Sequence, residues 1–175
     1  TEDDPGRAAD FGCGTGLFTR HLARGAEHVV ALDTSDAMLD SARRKLADID
    51  NVQFLKASCL DTGLPSGSLD TVLMANVLQA VRERDRALAE AARVLRPGGR
   101  LIVLAWTATG MRFLEQVTMM WRYLREFGLP PRGSGNLSPE EARDLAVNNG
   151  FDVECCDLLG TRVNCLHLRA KLRGT

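Results

Sequence analysis

The sequence has few aromatic residues, no excess of charge of either sign and no hydrophobic run long enough to span a bilayer. Phe, Trp and Tyr make up 5% of the 175 residues, with a single tyrosine. The 22 Lys and Arg nearly balance the 23 Asp and Glu, so no overall field attracts nucleic acid or an anionic membrane. A spanning helix needs ~20 consecutive apolar residues, and no stretch has this or a signal-peptide pattern. We therefore expect no nucleic-acid partner and no membrane association.

The cysteines show no arrangement typical of a disulfide or metal framework. No two form a C-x-x-C pair, and none lies with histidine at zinc-site spacing. Two of them are adjacent on a predicted strand and should point to opposite faces of a sheet. Scattered cysteines suit a reducing compartment, so we expect a cytoplasmic protein without a bound metal. The five are Cys13, Cys59, Cys155, Cys156 and Cys165.

The length and composition are those of one globular domain. A chain of 175 residues, 45% apolar and 26% charged, can bury one complete core, and we expect a single domain over residues 1–175. The sequence begins with Thr1 and not with Met, so we expect it to be a processed or trimmed chain.

Short apolar runs alternate with helical patterns over the first hundred residues. Such alternation predicts parallel strands with right-handed crossovers and helices on both faces, a doubly wound α/β fold. The predicted strands are 7–11, 28–32, 52–57, 69–75 and 101–106, and the predicted helices are 17–24, 36–49 and 84–95.

The pattern changes after residue 106. A helix is predicted over 111–127, with Trp121 on its apolar core face, and a loop rich in Pro and Gly follows, so we expect a helical insertion at about 111–137. Ser138, Pro139 and Glu141 then form a strong helix start. Two last strands, 151–159 and 163–172, are joined by a short turn and should be antiparallel. The expected sheet is seven-stranded and mostly parallel, with an antiparallel final strand.

A glycine-rich turn between the first strand and the first helix carries the strongest functional signal. Residues 10–16 read Asp-Phe-Gly-Cys-Gly-Thr-Gly, and such a turn lets a ligand approach backbone N–H groups at a helix start. Asp33 ends the second strand about 20 residues later, where a carboxylate can accept both hydroxyls of a ribose. Together these features predict an adenosine-containing ligand.

The spacing of the glycines distinguishes between two ligand classes. A dinucleotide fingerprint reads G-x-G-x-x-G, whereas this turn reads G-x-G-x-G and has Leu17 where the third glycine would fall. Asp10 would repel a pyrophosphate but would suit the ammonium group of an amino acid, directly or through water. The residues therefore favour an adenosyl amino acid.

Residues 7–106 resemble the class I S-adenosylmethionine-dependent methyltransferases. Residues 10–16 match the family's D/E-x-G-x-G-x-G motif, and residues 31–39 match its second-strand segment. Residues 64–72 match the approach to the fourth strand, and residues 95–101 match the L-x-P-G-G-x-L turn. The resemblance implies a Rossmann-like methyltransferase fold with S-adenosylmethionine as cofactor and S-adenosylhomocysteine as product.

The resemblance also implies a set of cofactor contacts. Asp33 would bind the ribose and Met38 would lie near the adenine. Many relatives bind the adenine amino group with an Asp after the third strand; the nearest match here is Ser58, and Asp61 is an alternative. Asn76 follows the fourth strand and is either a ligand contact or a turn-forming residue. The expected cofactor-binding residues are Asp10, Gly12, Cys13, Gly14, Gly16, Asp33, Thr34, Met38, Ser58, Cys59 and Asn76.

The expected reaction is in-line attack of a small-molecule nucleophile on the sulfonium methyl group. A neutral thioether leaves, so no metal is needed, and positioning supplies much of the rate. None of the three histidines lies at a strand's carboxyl end, so no catalytic base is predicted. Trp106, Met111 and Tyr123 are the predicted substrate-pocket residues. Two alternatives remain: a catalytically silent methyltransferase-like binding module and, weakened by the missing third glycine, a nucleotide-binding oxidoreductase.

Overall fold

The computed structural model describes residues 4–109, 117–118, 121, 125, 135–160 and 164–174, which form one sheet with helices packed against it. The bounds of the first five strands lie within a few residues of those predicted, except at the start of the fifth. The strands are β1 Arg7–Phe11, β2 His28–Asp33, β3 Val52–Lys56, β4 Leu69–Ala75, β5 Leu95–Thr107, β6 Phe151–Leu159 and β7 Asn164–Leu172. The helices with defined bounds are α1 Leu17–Ala23, α2 Asp36–Lys45, α3 Arg84–Val94 and α4 Pro139–Asn148.

The sheet has the strand order β3-β2-β1-β4-β5-β7-β6. Strands β1 to β5 are parallel, and β7 runs antiparallel to both of its neighbours. The predicted seven-stranded, mostly parallel sheet with an antiparallel final strand is confirmed. Within the described residues, no helix is both long and apolar enough to cross a bilayer.

Small and β-branched residues make the central strands fit between two layers of helices. In β1 all residues from Ala8 to Phe11 are buried, as expected for a strand covered on both faces. Phe11 and Met74 belong to the larger core, which lies under α3 and α4, whereas Ala8 packs with Ala23 of α1 on the opposite face. Strand β1 is therefore packed on both faces of the sheet.

Helix α4 begins where its sequence predicts. The Ser138 hydroxyl accepts a hydrogen bond from the Glu141 backbone N–H at 3.1 Å, and Pro139 occupies the first turn. Ser35 caps α2 in the same way by accepting from the Met38 N–H at 3.4 Å. Both caps satisfy backbone donors that a helix start leaves free.

Strand β5 begins six residues earlier than predicted. Leu69 pairs with Leu95 and Thr71 pairs with Arg100, so residues 96–99 bulge out of the strand. Gly99 is required there because a Cβ atom would lie 2.8 Å from the Arg96 carbonyl oxygen. The Pro-Gly-Gly run ends α3 as predicted, but the ladder with β4 starts before the run as well as after it.

The predicted helix 111–127 lies largely outside the described residues. Val117, Thr118, Trp121 and Arg125 are helical. Trp121 is 60% exposed and lies 5.6 Å from the Arg125 guanidinium, measured to the ring centre. The prediction that Trp121 is a core residue is therefore wrong: an apolar periodicity does not show which residues have a partner surface to pack against.

A buried carboxylate fastens the loop between β3 and β4 to α3. Glu90 accepts hydrogen bonds from the Thr62 N–H at 2.8 Å and from the Thr62 hydroxyl at 2.6 Å. Arg93 donates two further bonds to Glu90, each 2.7 Å long. The Arg93 guanidinium and, to a smaller extent, the bonds from Thr62 lower the pKa of Glu90 to about 2 against the opposing effect of burial. Glu90 is therefore charged, fully paired and structural.

Replacing Glu90 with Gln should lower the free energy of unfolding at pH 7 by about 1–3 kcal/mol, because a charge-assisted bond is lost in a buried setting. The folded pKa is depressed, so this contribution is present above pH ~4.5 and disappears as the pH falls toward 2. Urea unfolding at several pH values measures the difference. Glu83→Gln, at the residue before α3, removes an exposed partner of Arg86 and serves as the control, with little expected effect because the Glu83 side chain does not cap the helix. Equal stability of the Glu90 variant and the wild type at pH 7 would contradict the assignment.

Candidate active site

The predicted site residues converge at the carboxyl edge of the parallel strands. Phe11 is in register with Leu32 of β2 and with Met74 of β4, so the residues that follow each of them leave the sheet side by side. The glycine turn 12–16, Asp33 and Asn76 surround one space, which we call the crevice. In open α/β sheets, ligands bind at this edge, where the strand order reverses.

The three glycines of the turn have different reasons to be glycine. All have positive φ angles, 70° at Gly12, 53° at Gly14 and 83° at Gly16, which L side chains adopt only under strain. A Cβ atom on Gly12 would lie 2.6 Å from Val77, and one on Gly16 would lie 2.8 Å from Leu46. A Cβ atom on Gly14 would meet nothing within 4 Å. Gly12 and Gly16 therefore serve protein packing, while Gly14 leaves backbone open to a ligand.

Asp33 is fixed to the glycine turn by its own carboxylate. One oxygen accepts a hydrogen bond from the Gly14 N–H at 2.9 Å, and the other accepts from the Ser35 N–H at 2.9 Å. The side chain is half-buried at the end of β2. A carboxylate has about four acceptor positions, so two remain for ribose hydroxyls. The structure thus places Asp33 in an orientation that suits the predicted role.

Asp10 lies at the base of the turn, almost completely buried. The Thr19 hydroxyl donates to one carboxyl oxygen at 2.6 Å, and the other oxygen has no partner among the described residues. Burial, with a smaller contribution from the charge of Asp33, raises the pKa of Asp10 to about 7 against the lowering effect of the Thr19 bond. A ligand ammonium group near the free oxygen would satisfy it and would favour the ionised form.

Cys13 and Cys59 line this region as buried thiols. Cys13 packs with Ala31 and Leu39 beneath the turn, and Cys59 belongs to the main core. Burial raises the pKa of Cys13 to about 12 and also raises that of Cys59. Neither is a nucleophile, because reactive cysteines need a stabilised thiolate. Contact with a ligand would come from the Cys13 backbone and from the thiol surfaces only.

The expected adenine contacts lie around the ends of β2 and β3. Met38 is 43% exposed in the first turn of α2, and Thr34 is exposed beside it. The Ser58 hydroxyl oxygen accepts from the Leu60 N–H at 3.1 Å, which leaves its O–H free to donate. Ser58 forms a backbone bridge to Asp61, so both residues considered for the adenine amino group belong to one turn.

Asn76 connects the ends of β4 and β5. Its φ angle is 61°, and its side-chain oxygen accepts from the Trp106 N–H at 3.1 Å and from the Gln79 amide at 2.8 Å. This geometry supports the turn-forming alternative for Asn76. Gln79 is a residue that the sequence reading missed: its amide oxygen is buried and has no partner among the described residues. Its place, four residues past the carboxyl end of β4, was the only signal for it in the sequence.

The predicted substrate-pocket residues are only partly within the described chain. Trp106 is 53% exposed at the carboxyl end of β5, next to Asn76. Met111 and Tyr123 lie outside the described residues. The chain on either side of the predicted insertion is nevertheless held together. The Asn136 side-chain oxygen accepts from the Thr107 hydroxyl at 2.9 Å and the Ala108 N–H at 2.8 Å, and its amide donates to the Thr109 hydroxyl at 3.1 Å.

Arg84 ties the end of the predicted insertion to the loop after β4. Its guanidinium donates to the Leu78 carbonyl at 2.9 Å and to the Gly135 carbonyl at 3.2 Å, and it pairs with Glu141 of α4. The loop after β4 and the residues after the insertion are thereby tied to the same side chain. The insertion leaves and re-enters the fold beside Trp106 and Gln79.

Replacing Asp10 with Asn should change the pH dependence of stability in the absence of ligand. The folded pKa is raised from 3.8 to about 7, so the wild type is stabilised least above pH 7, where the buried group must be charged. The difference in free energy of unfolding, variant minus wild type, should be larger at pH 8 than at pH 5 by at least about 1 kcal/mol. This energy corresponds to less than one pKa unit. Urea unfolding at both pH values measures this.

Asp48→Asn provides the control for this measurement. Arg20 lowers the pKa of the Asp48 carboxyl group, which is therefore ionised at both pH values. Its variant should differ from wild type by the same amount at pH 5 and pH 8. If the Asp10 variant also shows a constant difference, the raised pKa is refuted.

The sequence is similar to those of known methyltransferases. A family described as a methyltransferase domain matches residues 9–103, more than half of the chain. A demethylmenaquinone methyltransferase of Clavibacter sepedonicus is 40% identical over 97 residues, 55% of this chain and 40% of that protein. The ubiquinone/menaquinone biosynthesis C-methyltransferase UbiE of Teredinibacter turnerae is 37% identical over 123 residues, 67% of this chain and 49% of that protein. The chain spans half the length of these curated relatives or less.

Solved structures share the fold. A SAM-dependent methyltransferase from Aquifex aeolicus has a TM-score of 0.74 at 23% identity, covering 95% of this chain and 81% of its own. The [4+2]-cyclase SpnF has a TM-score of 0.78 at 20% identity, covering 100% of this chain and 78% of its own. The resemblance inferred from the motifs is confirmed for the family and for the fold. This chain belongs to the methyltransferase domain family, whose S-adenosylmethionine-dependent members share its fold.

Proposed function

We propose that the chain binds S-adenosylmethionine in the crevice and transfers its methyl group to a small-molecule acceptor. The observation that carries this proposal is the pairing of two carboxylates across the glycine turn. Asp33 is oriented by Gly14, and Asp10 has a buried oxygen without a partner among the described residues. A ribose and an ammonium group are the two chemical partners that these acids lack, and one molecule carries both.

Different residues would bind different parts of S-adenosylmethionine. Asp33 would accept the ribose hydroxyls, while the open backbone at Gly14 allows close approach of the ligand. Met38, Thr34 and the turn at Ser58 would lie along the adenine, and Asp10 would be nearest the amino acid portion. Bound S-adenosylmethionine supplies an activated methyl group on a positively charged sulfur.

Trp106 and Gln79 are the described residues best placed for the acceptor. Both lie at the ends of β4 and β5, and Gln79 has a buried amide oxygen with no partner among the described residues. The insertion at about 111–137, with Met111 and Tyr123, would complete the pocket as part of the single domain. A polar group on an otherwise apolar acceptor would satisfy Gln79 without needing a charged partner.

The relatives suggest an acceptor class to test first. Of the two curated relatives reported above, one is named a demethylmenaquinone methyltransferase and the other a ubiquinone/menaquinone biosynthesis C-methyltransferase. An electron-rich ring carbon of a quinol precursor is nucleophilic without a strong protein base. This agrees with a crevice in which the described residues include no histidine. The proposed role of the protein is to align the carbon with the methyl group and to exclude water.

We further propose that the chain works in the cytoplasm. All five cysteines are free, in keeping with a reducing compartment.

A thermal-shift and turnover experiment tests the proposed function. S-adenosylhomocysteine at 100 times its dissociation constant should stabilise the protein by about 2.7 kcal/mol, whereas NAD at the same concentration should not. Mass spectrometry should then detect a gain of one methyl group on a demethylquinol analogue in the presence of S-adenosylmethionine. Stabilisation by NAD alone would instead support the oxidoreductase alternative.

A catalytically silent binding module is the second candidate function. The SpnF structure shares this fold and is titled a cyclase, so the fold does not by itself fix the reaction. Binding of S-adenosylhomocysteine without methylation of any acceptor in a broad panel would favour this candidate.

Asp33→Ala should weaken S-adenosylhomocysteine binding at least tenfold, or by ~1.4 kcal/mol or more, because the ribose loses its acceptor and Gly14 loses its anchor. Isothermal titration calorimetry measures the affinity. Asp36→Ala is the matched control, since Asp36 lies three residues away and pairs with Lys56 at the surface. Unchanged affinity in the Asp33 variant would remove Asp33 from the ribose role.

A further inference from the structure

The hairpin of β6 and β7 brings three metal-ligand side chains together on one face. Cys155 Sγ lies 3.8 Å from His167 Nδ1, and ligand atoms of Cys155, Asp157 and His167 are all within 4.8 Å of one another. The spacing along the chain does not match a typical zinc motif, because Cys155 and His167 are 12 positions apart and no C-x-x-C pair is present. Spacing along the chain therefore predicts no site, and only the strand register shows one.

A bulge in β6 creates this arrangement. Val153 pairs with Ala170 and Cys155 pairs with Arg169, so Glu154 is an extra residue in the strand. Side chains alternate between faces along a strand, and one extra residue reverses the alternation that follows. Without the bulge, Cys155 and Asp157 would face the core side. With it, both face the same side as His167, which lies directly opposite Asp157.

Cys156, next to Cys155, points to the core side of the sheet as a result of the same bulge. The Cys156 thiol donates to the Pro139 carbonyl of α4 at 3.3 Å, and Cys156 packs against the main core. Cys155 and Cys156 thus point to opposite faces, as their adjacency predicts. Cys155 and His167 are half-buried and Asp157 is exposed, so an ion can reach the cluster from solvent.

The charges around the cluster favour a divalent cation. On binding a metal ion the thiol would release its proton, and the thiolate and carboxylate ligands together would balance a 2+ charge beside an imidazole ligand. Arg169, opposite Cys155, is paired with Glu154 at 2.8 Å, and Lys171 is paired with the same carboxylate at 2.7 Å. These cations already have an anion of their own, so they do not take Cys155 or Asp157 as their partner.

We propose that Cys155, Asp157 and His167 form a zinc-binding site, with solvent as the fourth ligand. Cys, His and carboxylate ligands together are typical of Zn²⁺, and ligand atoms in a tetrahedral zinc site lie about 3.5 Å apart. The separation of the thiol and imidazole is close to this value, and a rotation of Asp157 completes the third position. His167 lies opposite Leu104 of β5 and three strand spacings, or ~14 Å, from β1, so the site is separate from the glycine turn and Asp33.

Cobalt spectroscopy of the full chain tests this proposal. After removal of metal with a chelator, Co²⁺ should bind one to one and give a sulfur-to-cobalt charge-transfer band, which Zn²⁺ should abolish by displacement. Cys155→Ser should lose the band, and His167→Ala should weaken Co²⁺ binding at least tenfold. Zn²⁺ should raise the melting temperature of the wild type, because it binds across two strands of the folded state only.

Cys156→Ser is the matched control, because the serine keeps a donor for Pro139 and changes the neighbouring thiol on the opposite face. It should retain the cobalt band and the stabilisation by Zn²⁺. Circular dichroism of each variant checks that the fold is intact. Absence of a charge-transfer band in the wild type, or a band that survives Cys155→Ser or disappears in Cys156→Ser, would overturn the proposal.

Discussion

The register of the parallel strands is the constraint on which the site depends. Because β1, β2 and β4 are aligned residue by residue, the glycine turn, Asp33 and Asn76 leave the sheet at the same level. Each then binds its neighbours through the backbone: Asp33 accepts from Gly14, and Asn76 accepts from Trp106. A shift of one strand by a single residue would move its side chains to the opposite face and separate these groups.

Two buried carboxyl groups show how the same side-chain chemistry serves structure and function. Glu90 has Arg93 and Thr62 as partners, and its pKa is lowered to about 2. Asp10 has only the Thr19 hydroxyl, and burial raises its pKa to about 7. A protein built for stability alone would give Asp10 a cation of its own. The unsatisfied oxygen marks the place where a ligand is expected to supply one.

Much of the fold and of the crevice could be predicted from the sequence, because the relevant signals are local. The glycine turn, the acid at the end of β2 and the Ser138 cap each depend on a few adjacent residues. Other features depend on distant partners. The ladder before Pro97 depends on Leu69, the exposure of Trp121 depends on the surface beside its helix, and the facing of Cys155 depends on a bulge that only the pairing with Arg169 shows. Gln79 could be recognised only once its hydrogen bond to Asn76 was known.

Hydrogen bonds join the two ends of the predicted insertion, so the segment between them can be replaced by others. The Asn136 side-chain amide donates to the Thr109 hydroxyl, and Arg84 donates to the Gly135 and Asn136 carbonyls. These bonds fix the distance over which an intervening segment must close. Closing a flexible loop costs only about 0.6 kcal/mol more for each doubling of its length. Segments of very different length and composition can therefore be grafted between these two residues at small energetic cost. Such exchanges would leave the glycine turn and its bond to Asp33 intact, because both are held by the paired strands β1 and β2.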